Sequence, residues 1–481
     1  MDSTDKAFLL LADGSFFEGQ AIGARGKTIG ETVFTTGMTG YTETLTDPSY
    51  YGQIVTQTFP LIGNYGIIKE DFESRKSWVK GYIVRELCEM PSNFRCQSSL
   101  ETFLKEEGII GIAGIDTRAL TKKLRNSGVM NGMIISGREI DQFTKDGPQK
   151  YLEIIKSYKI QNALQAVQSR AVDGGTVLEA RGTDLSHSSQ FTGGQTPNSL
   201  GTDPSHSSQF TGGQTPNSLG TDLSHSSQFA GGQFSKQGGQ TSHFQANLQG
   251  DRLLIHWEQI HWGQTPNSPG TDPATPKNKN FHVALLDFGA KANIQRELEK
   301  RGCKVTLLPY NTKAHTILEL TPDGIMLSNG PGDPAENTDV IKEIKQICEW
   351  NKEQMKSQPE KAIAIFGICL GHQILALARG AKTSKLKYGH RGGNHPVKES
   401  ESGRVYITSQ NHGYAVENQN LPAFARQSFV NLNDGTCEGL IYTDIPAFSV
   451  QFHPEACGGP HDTNFLFDNF LKLMENKNAS K

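Results

Sequence analysis

The sequence predicts an α/β protein, in which an N-terminal α+β domain precedes a mostly parallel open sheet flanked by helices. From residue 281 to about residue 382, short apolar segments alternate with helical ones. This rhythm implies right-handed βαβ crossovers and therefore a parallel sheet. Beyond residue 382 the pattern becomes shorter and more β-like, which favours an antiparallel extension of that sheet. Residues 1–155 mix β-rich segments with a few helical stretches.

Local signals define elements of the N-terminal domain, residues 1–155. AFLLLADGSFFEG is typical of a hairpin that turns at Asp13 and Gly14. GYIVRELC predicts a strand. DTRALTKKLRNSG predicts a helix with Asp116 as its N-cap and Gly128 as its stop.

A linker over residues 156–280 separates the two domains and carries repeats at about 182–275. GTDLSHSSQFTGGQTPNSL begins at Gly182, recurs at Gly201 as GTDPSHSSQFTGGQTPNSL and starts again at Gly220, a period of 19 residues. Each unit holds about one large apolar residue, Phe191, Phe210 or Phe229. So little apolar surface cannot offset the entropy of ordering the chain, and we therefore expect a disordered insertion. The more apolar residues 243–262 predict a small local helix.

The C-terminal domain, residues 281–476, follows the βαβ pattern closely. FHVALLDFG, CKVTLLPY, GIML and KAIAIF predict strands, while ANIQRELEKRG, DVIKEIKQICEW and TNFLFDNFLKLMEN predict helices.

Composition narrows the functional classes. The chain has 47 basic and 50 acidic residues, which gives no sign of a nucleic-acid or anionic-membrane surface. Seven cysteines without a CxxC pair argue against a disulfide framework or a zinc site and favour a reducing compartment. The N-terminus lacks signal-peptide features, and no apolar stretch reaches membrane-spanning length, so we expect a cytoplasmic protein.

Cys369 lies at the centre of Gly-Ile-Cys-Leu-Gly, between a predicted strand and a predicted helix. This is the cysteine form of the nucleophile elbow, whose small flanking residues permit a strained turn. The N-terminus of the following helix favours the reactive thiolate. A lone cysteine is more often an inert core residue, but this context favours a nucleophile.

His453 and Glu455 follow a second apolar segment and are two residues apart. At the end of a strand, side chains two residues apart point the same way, so the Glu455 carboxylate can hold the His453 imidazole in position. The imidazole can in turn reach a cysteine at the end of a neighbouring strand. A surface turn would give the same pattern. Beside the elbow, however, the two residues predict acyl transfer by a cysteine triad.

Two loops are candidates for substrate binding. SNGPGDP follows a strand, and the N–H groups of Gly330 and Gly332 could join that of Leu370 in an oxyanion hole. SQNHGYAV predicts a polar turn whose Asn411, Gly413 and Tyr414 could hold a small substrate. An ordinary turn and a plain hairpin remain the respective alternatives. DFGAK resembles a kinase tripeptide but has no catalytic-loop motif nearby.

Together these motifs resemble the class I glutamine amidotransferase family, with NGPGDP, FGICLGHQ, YGHRGGNHPV, SQNHG and HPEA in order. FTTGMTGYTETLTDPSYYGQIVTQTFPLIGNYG and GIAGIDTRALTKKLR are similar to the glutamine-hydrolysing subunits of carbamoyl-phosphate synthetases. The resemblance covers nearly everything outside residues 175–280. The insertion departs from the short connection usual in the family.

The resemblance implies a role for each matched residue. Cys369 would attack the glutamine amide, His453 would shuttle protons and Glu455 would orient His453. Glutamine-binding positions match Ser49, Gly330, Gly332, Leu370, Gln373, Asn411, Gly413 and Tyr414. Tyr414 is a mild departure, because phenylalanine is also usual there.

The resemblance also implies a partner, a large synthetase subunit that receives ammonia and makes carbamoyl phosphate from bicarbonate and ATP. We expect no cofactor or metal in this chain, with ATP, Mg²⁺ and K⁺ on that subunit. The pathway, pyrimidine or arginine, stays open. The alternatives are the glutaminase subunit of a different amidotransferase and an inactive regulatory subunit.

Overall fold

The computed structural model describes residues 6–168, 280–419 and 421–476. The predicted disorder of the repeats and the predicted helix within residues 243–262 lie outside these ranges.

The N-terminal strands close into a barrel with the order β1-β2-β8-β6-β4-β3-β9. The strands are β1 (Lys6–Leu11), β2 (Phe16–Gly23), β3 (Lys27–Thr35), β4 (Gln53–Gln57), β6 (Gly81–Ile83), β8 (Ile110–Ala113) and β9 (Met130–Ser136), with β5 (Leu61–Ile62) and β7 (Glu86–Leu87) forming a separate pair. The helices are α1 (Tyr41–Thr46), α2 (Leu100–Glu106), α3 (Thr117–Ser127), α4 (Glu139–Asp146), α5 (Pro148–Ser157) and α6 (Ala163–Val167).

Two of the three local predictions in this domain, the hairpin and the helix, are confirmed. Strands β1 and β2 form an antiparallel hairpin. The Asp116 carboxylate accepts the N–H of Ala119 at 2.9 Å, and Gly128 ends helix α3 with a φ of 93°. The GYIVRELC segment, by contrast, divides into β6 and β7. Closure of the barrel was not predicted, because it depends on distant pairs such as Leu9 opposite Ile134.

The C-terminal strands form one sheet with the order β11-β10-β12-β13-β18-β17-β16-β14-β15. The strands are β10 (His282–Asp287), β11 (Lys304–Pro309), β12 (Gly324–Leu327), β13 (Ala364–Ile368), β14 (Thr383–Glu399), β15 (Val405–Val416), β16 (Ala425–Asn431), β17 (Cys437–Tyr442) and β18 (Ala447–Val450). The helices are α7 (Ala292–Lys300), α8 (Ala314–Glu319), α9 (Thr338–Ser357), α10 (Leu370–Ala378) and α11 (Phe465–Asn476). Apolar clusters on the sheet form the core.

The predicted parallel sheet with an antiparallel extension is confirmed, with two differences. Strand β18 comes last in the chain but pairs in parallel with β13. The prediction of a polar turn at SQNHGYAV is wrong, because residues 409–416 lie within strand β15, paired with β14. Irregular pairing in this ladder explains the misleading pattern, since the register shifts between Lys385 and His390 and again between Gly392 and His395.

The strand order places the candidate residues at one edge of the C-terminal sheet. Strands β10, β12, β13 and β18 are mutually parallel, so their carboxyl ends meet there. Lys291, Gly330, Cys369 and His453 all lie just beyond these ends. This edge is where open parallel sheets bind ligands.

Candidate active site

Cys369 occupies a strained backbone position between β13 and α10. Its φ is 53° and its ψ is −105°, a conformation that non-glycine residues rarely adopt. The backbone N–H of Cys369 donates to the Val450 carbonyl at 2.8 Å, which ties the turn to β18. The predicted strand, elbow and helix are therefore present.

The flanking glycines are sterically required. A Cβ at Gly371 would lie 2.2 Å from the carbonyl oxygen of Leu327, and one at Gly367 would lie 2.8 Å from that of Gly371. Such separations are far inside van der Waals contact. The elbow therefore excludes side chains at both positions.

His453 is held by Glu455, as the spacing predicts. The Nδ1 of His453 lies 2.7 Å from the Oε1 of Glu455, and both side chains are buried. Burial and Lys291 act to lower the pKa of His453, but Glu455 and Cys369 outweigh them and raise it to about 10. Burial acts to raise the pKa of Glu455, whereas the His453 and Lys291 charges lower it to about 2.

The second ring nitrogen of His453, Nε2, is available for proton transfer. Within the described parts of the chain, the buried Nε2 of His453 has no hydrogen-bond partner. The Cys369 thiol donates to the Asn411 carbonyl at 3.7 Å and is only 2% exposed. The thiol also acts to raise the pKa of His453, so the two groups lie close enough to interact and to exchange a proton.

Lys291 also belongs to the candidate site, although the sequence analysis did not predict it. Its Nζ lies 3.5 Å from the Oδ2 of Asp47, 3.5 Å from the Oε1 of Glu455 and 3.3 Å from the Nδ1 of His453. Burial would lower the pKa of Lys291, but the neighbouring carboxylates raise it. Lys291 is the lysine of the DFGAK segment. Its place just after strand β10, on the ligand-binding edge, was the signal that could have identified it.

A cavity of about 410 Å³, the glutamine-candidate pocket, brings together most of the predicted binding residues. It is lined by Cys369 and by seven of the predicted positions, namely Ser49, Gly330, Gly332, Gln373, Asn411, Gly413 and Tyr414. Leu370 begins helix α10, so its N–H has no partner within the helix. Arg391 also lines the pocket, is buried, and was not predicted.

Hydrogen bonds across the two domains shape this pocket. Asn329 donates from its Nδ2 to the Ser49 hydroxyl at 3.0 Å, and Asn411 donates to the Asp47 carboxylate at 3.0 Å. Gln373 donates to the Tyr414 carbonyl at 2.7 Å. The N-terminal domain therefore supplies part of the site.

A second cavity of about 300 Å³ also reaches the candidate triad. His453 and Lys291 line it together with Glu43 and Glu73, while Asn411 lines both cavities. Burial raises the pKa of Glu43 and of Glu73 to about 7. The imidazole thus faces a separate space through which a small product could leave.

Comparisons with known proteins agree with this geometry. Residues 9–134 match the carbamoyl-phosphate synthase small chain, CPSase domain family, and residues 284–473 match the glutamine amidotransferase class-I family. The carbamoyl phosphate synthase small chain of Listeria monocytogenes serotype 4b is 40% identical over 473 residues, covering 98% of each chain. The chain belongs to the carbamoyl phosphate synthase small chain family.

Other relatives carry the same description. The carbamoyl phosphate synthase small chain of Clostridium perfringens is 39% identical over 97% of this chain and 99% of its own length. That of Fusobacterium nucleatum is 40% identical over 97% of this chain and 98% of its own. Among the described residues, no helix is long and apolar enough to cross a bilayer.

Proposed function

We propose that this chain hydrolyses L-glutamine and supplies the ammonia for carbamoyl phosphate synthesis. The observation that carries the proposal is the buried set of Cys369, His453 and Glu455 beside a cavity of sufficient size for an amino acid. Membership of the family supports the reaction. The residue roles given below are inferred from the geometry.

Attack begins at the thiol. Before the attack, Cys369 gives its proton to His453, and the resulting thiolate adds to the side-chain amide carbon of glutamine. Negative charge then develops on the amide oxygen, and in this proposal the N–H groups of Leu370, Gly330 and Gly332 donate to that oxygen. Imidazolium formation is favoured by Glu455, since that carboxylate raises the pKa of His453 to about 10.

Collapse of the adduct releases ammonia. His453 returns its proton to the amide nitrogen as the C–N bond breaks, leaving a glutamyl thioester on Cys369. Water, activated by the neutral imidazole, then adds to the thioester and gives glutamate with the thiol restored. Each proton moves through Nε2, the ring nitrogen without a partner among the described residues.

The glutamine-candidate pocket contains side chains that can bind the polar groups of glutamine. The buried guanidinium of Arg391 suits the α-carboxylate, while the side chains of Ser49 and Gln373 offer polar contacts. Lys291 shares the Oε1 of Glu455 with His453 and thereby helps fix that carboxylate.

The partner in this proposal is a large synthetase subunit that uses bicarbonate and ATP. Ammonia formed beside His453 would be protonated and lost in open water, so it needs an enclosed route to the next reaction. The second cavity provides the first part of that route. ATP, Mg²⁺ and K⁺ would be bound by the large subunit, and a heterodimer is the simplest assembly.

The pathway and the compartment are also proposals. Carbamoyl phosphate feeds pyrimidine or arginine synthesis, and the chain fits either. All seven cysteines are free thiols, which supports a reducing compartment such as the cytoplasm.

Purification of the full chain with its large partner tests the proposal. The expected result is carbamoyl phosphate formed from glutamine, bicarbonate and ATP, with glutamate in equal amount. Glutaminase activity that feeds a different product would identify another amidotransferase. A complex that forms but never hydrolyses glutamine would identify an inactive regulatory subunit.

A further inference from the structure

The first turn of helix α7 is capped by a residue from the other domain. A helix begins with N–H groups that have no partner within the helix, and the residue just before it usually accepts one of them through its side chain. The residue before α7 is Lys291, whose ammonium group has no acceptor atom and pairs instead with carboxylates of the candidate site. The helix must therefore receive its cap from elsewhere.

Glu73 of the N-terminal domain supplies that cap. Its backbone carbonyl accepts the N–H of Ala292 at 2.8 Å, and its Oε2 accepts the N–H of Asn293 at 3.2 Å. Ala292 and Asn293 are the first two residues of α7. A carboxylate is also the group that the positive end of the helix dipole favours. Glu73 is only 3% exposed, so both contacts are buried.

Glu73 is itself fixed to the segment that carries Asp47. Its backbone N–H donates to the hydroxyl of Thr46 at 3.0 Å, at the end of helix α1. Asp47 is the next residue along the chain and lies 3.5 Å from the Nζ of Lys291. Two neighbouring parts of the N-terminal domain therefore hold residues 291–293.

Asn293 extends this contact to the candidate triad. Its side-chain Nδ2 donates to the backbone carbonyl of Glu455, and Asn293 is buried. That carbonyl belongs to the turn that carries both Glu455 and His453, which we call the triad turn. Glu73 thus reaches the triad turn through one intermediate residue, which is hydrogen-bonded on both sides.

Glu73 and Asn293 lie away from the place where glutamine is expected. The described residues that line the glutamine-candidate pocket include neither of them. Glu73 lines the second cavity instead, together with His453. An effect of Glu73 on hydrolysis should therefore appear in the chemical step and not in the binding of glutamine.

We propose that Glu73 is a positioning residue for glutamine hydrolysis. By capping α7 it holds Asn293 and Lys291 against the triad turn, so that the N-terminal domain orders Glu455 and His453. This role rests on the proposed function. It gives the N-terminal domain a part in the chemical step in addition to its share of the pocket.

The test is steady-state glutamine hydrolysis by the full chain with its large partner. The assay is run at alkaline pH, where the Glu73 carboxylate is ionised although burial raises its pKa to about 7. In Glu73→Ala we expect kcat to fall about tenfold or more while KM for glutamine stays within about twofold, as when an interaction acts only in the transition state. Glu73→Gln keeps an oxygen that can accept the Asn293 N–H, so kcat should recover to within about threefold of the wild type. Equal losses in the two variants would contradict a role as a cap.

Matched variants locate the effect. Glu106→Gln, at an exposed position of the same domain, should leave both constants unchanged. Asn293→Ala removes the bond to the triad turn and should repeat the fall in kcat at unchanged KM, which also tests the link if Glu73→Ala fails to fold. An unchanged kcat in a folded variant of either residue would overturn the proposal. So would a rise in KM as large as the fall in kcat, because that pattern indicates displacement of the whole N-terminal domain.

Hydrogen exchange separates the capping role from the proposed function. The backbone N–H groups of Ala292 and Asn293 should exchange with deuterium several-fold faster in Glu73→Ala than in the wild type, whether or not the chain hydrolyses glutamine. A wild type without glutaminase activity would refute the proposed function. Unchanged exchange beside normal wild-type activity would overturn only the capping by Glu73.

Discussion

The ammonium group of Lys291 lies 3.5 Å from the carboxylate oxygen of Glu455 that also bonds His453. The same ammonium lies 3.5 Å from Asp47, a residue of the N-terminal domain. One buried cation thus joins the candidate triad to the other domain. Buried charges are tolerated only when they are paired, so its removal leaves several carboxylates uncompensated.

Replacement of Lys291 by methionine should therefore reduce both stability and activity. Breaking a buried ion pair on one side costs about 3–5 kcal/mol. We expect a loss of this order in the free energy of unfolding, measured by denaturant titration, and at least a tenfold loss of glutaminase rate. Lys300→Met, which removes a lysine 75% exposed, is the control. Equal behaviour of the two variants would show that Lys291 does not organise the site.

Replacement of Glu455 by glutamine should change the pH dependence of hydrolysis. The carboxylate raises the pKa of His453, so activity that needs the protonated imidazole persists up to about pH 10 and is lost above it. Without the carboxylate the pKa of His453 falls, so the loss should occur about one pH unit lower or more. Profiles of kcat/KM against pH for the wild type, Glu455→Gln and the surface variant Glu319→Gln measure this. An unmoved alkaline limb in Glu455→Gln would refute the orienting role.

Replacement of Gly371 by alanine should disrupt the elbow. The added Cβ would lie 2.2 Å from the Leu327 carbonyl, so the backbone must move and Cys369 must move with it. We expect destabilisation of about 1–3 kcal/mol and loss of glutamine hydrolysis. Gly380→Ala is the control, because its added Cβ would meet nothing within 4 Å, so the strain of an alanine at its φ of 90° should lower stability without loss of hydrolysis. Full activity in Gly371→Ala would mean that the strained turn is not needed.

The repeats should not contribute to the chemistry. The candidate triad and all the predicted glutamine-binding residues lie outside 182–275. A Gly/Ser segment of equal length in place of the repeats should therefore leave the glutaminase rate within about twofold, because such chains are flexible spacers. Rates measured with and without the large partner separate catalysis from assembly. A large fall in either would assign the repeats a role.

Local patterns predicted the parts of this molecule that depend on neighbouring residues. The strained turn at Cys369 follows from its two glycines, and the His453–Glu455 contact follows from a spacing of two residues. Local patterns do not contain the pairings between segments that are distant in sequence. The closure of the barrel and the parallel pairing of β18 with β13 both depend on such pairings.

The same limit explains the missed site residues. Lys291 and Asp47 are far apart in sequence, and each is unremarkable in its own segment. Only the packing of the barrel against the sheet brings the two charges together. The mistaken turn at residues 409–416 has a different cause, because its Gly and Asn signals belong to a strand with irregular pairing.

The role of Cys369 as nucleophile is tested most directly by Cys369→Ser in the complex with the large subunit, assayed once with glutamine and once with ammonium as the nitrogen source. We expect glutamine-dependent carbamoyl phosphate synthesis to fall on the order of 10³-fold or more, while the ammonium-dependent rate stays within about twofold of the wild type. Glutamine-dependent synthesis that continues near the wild-type rate would contradict the assignment of Cys369 as the nucleophile.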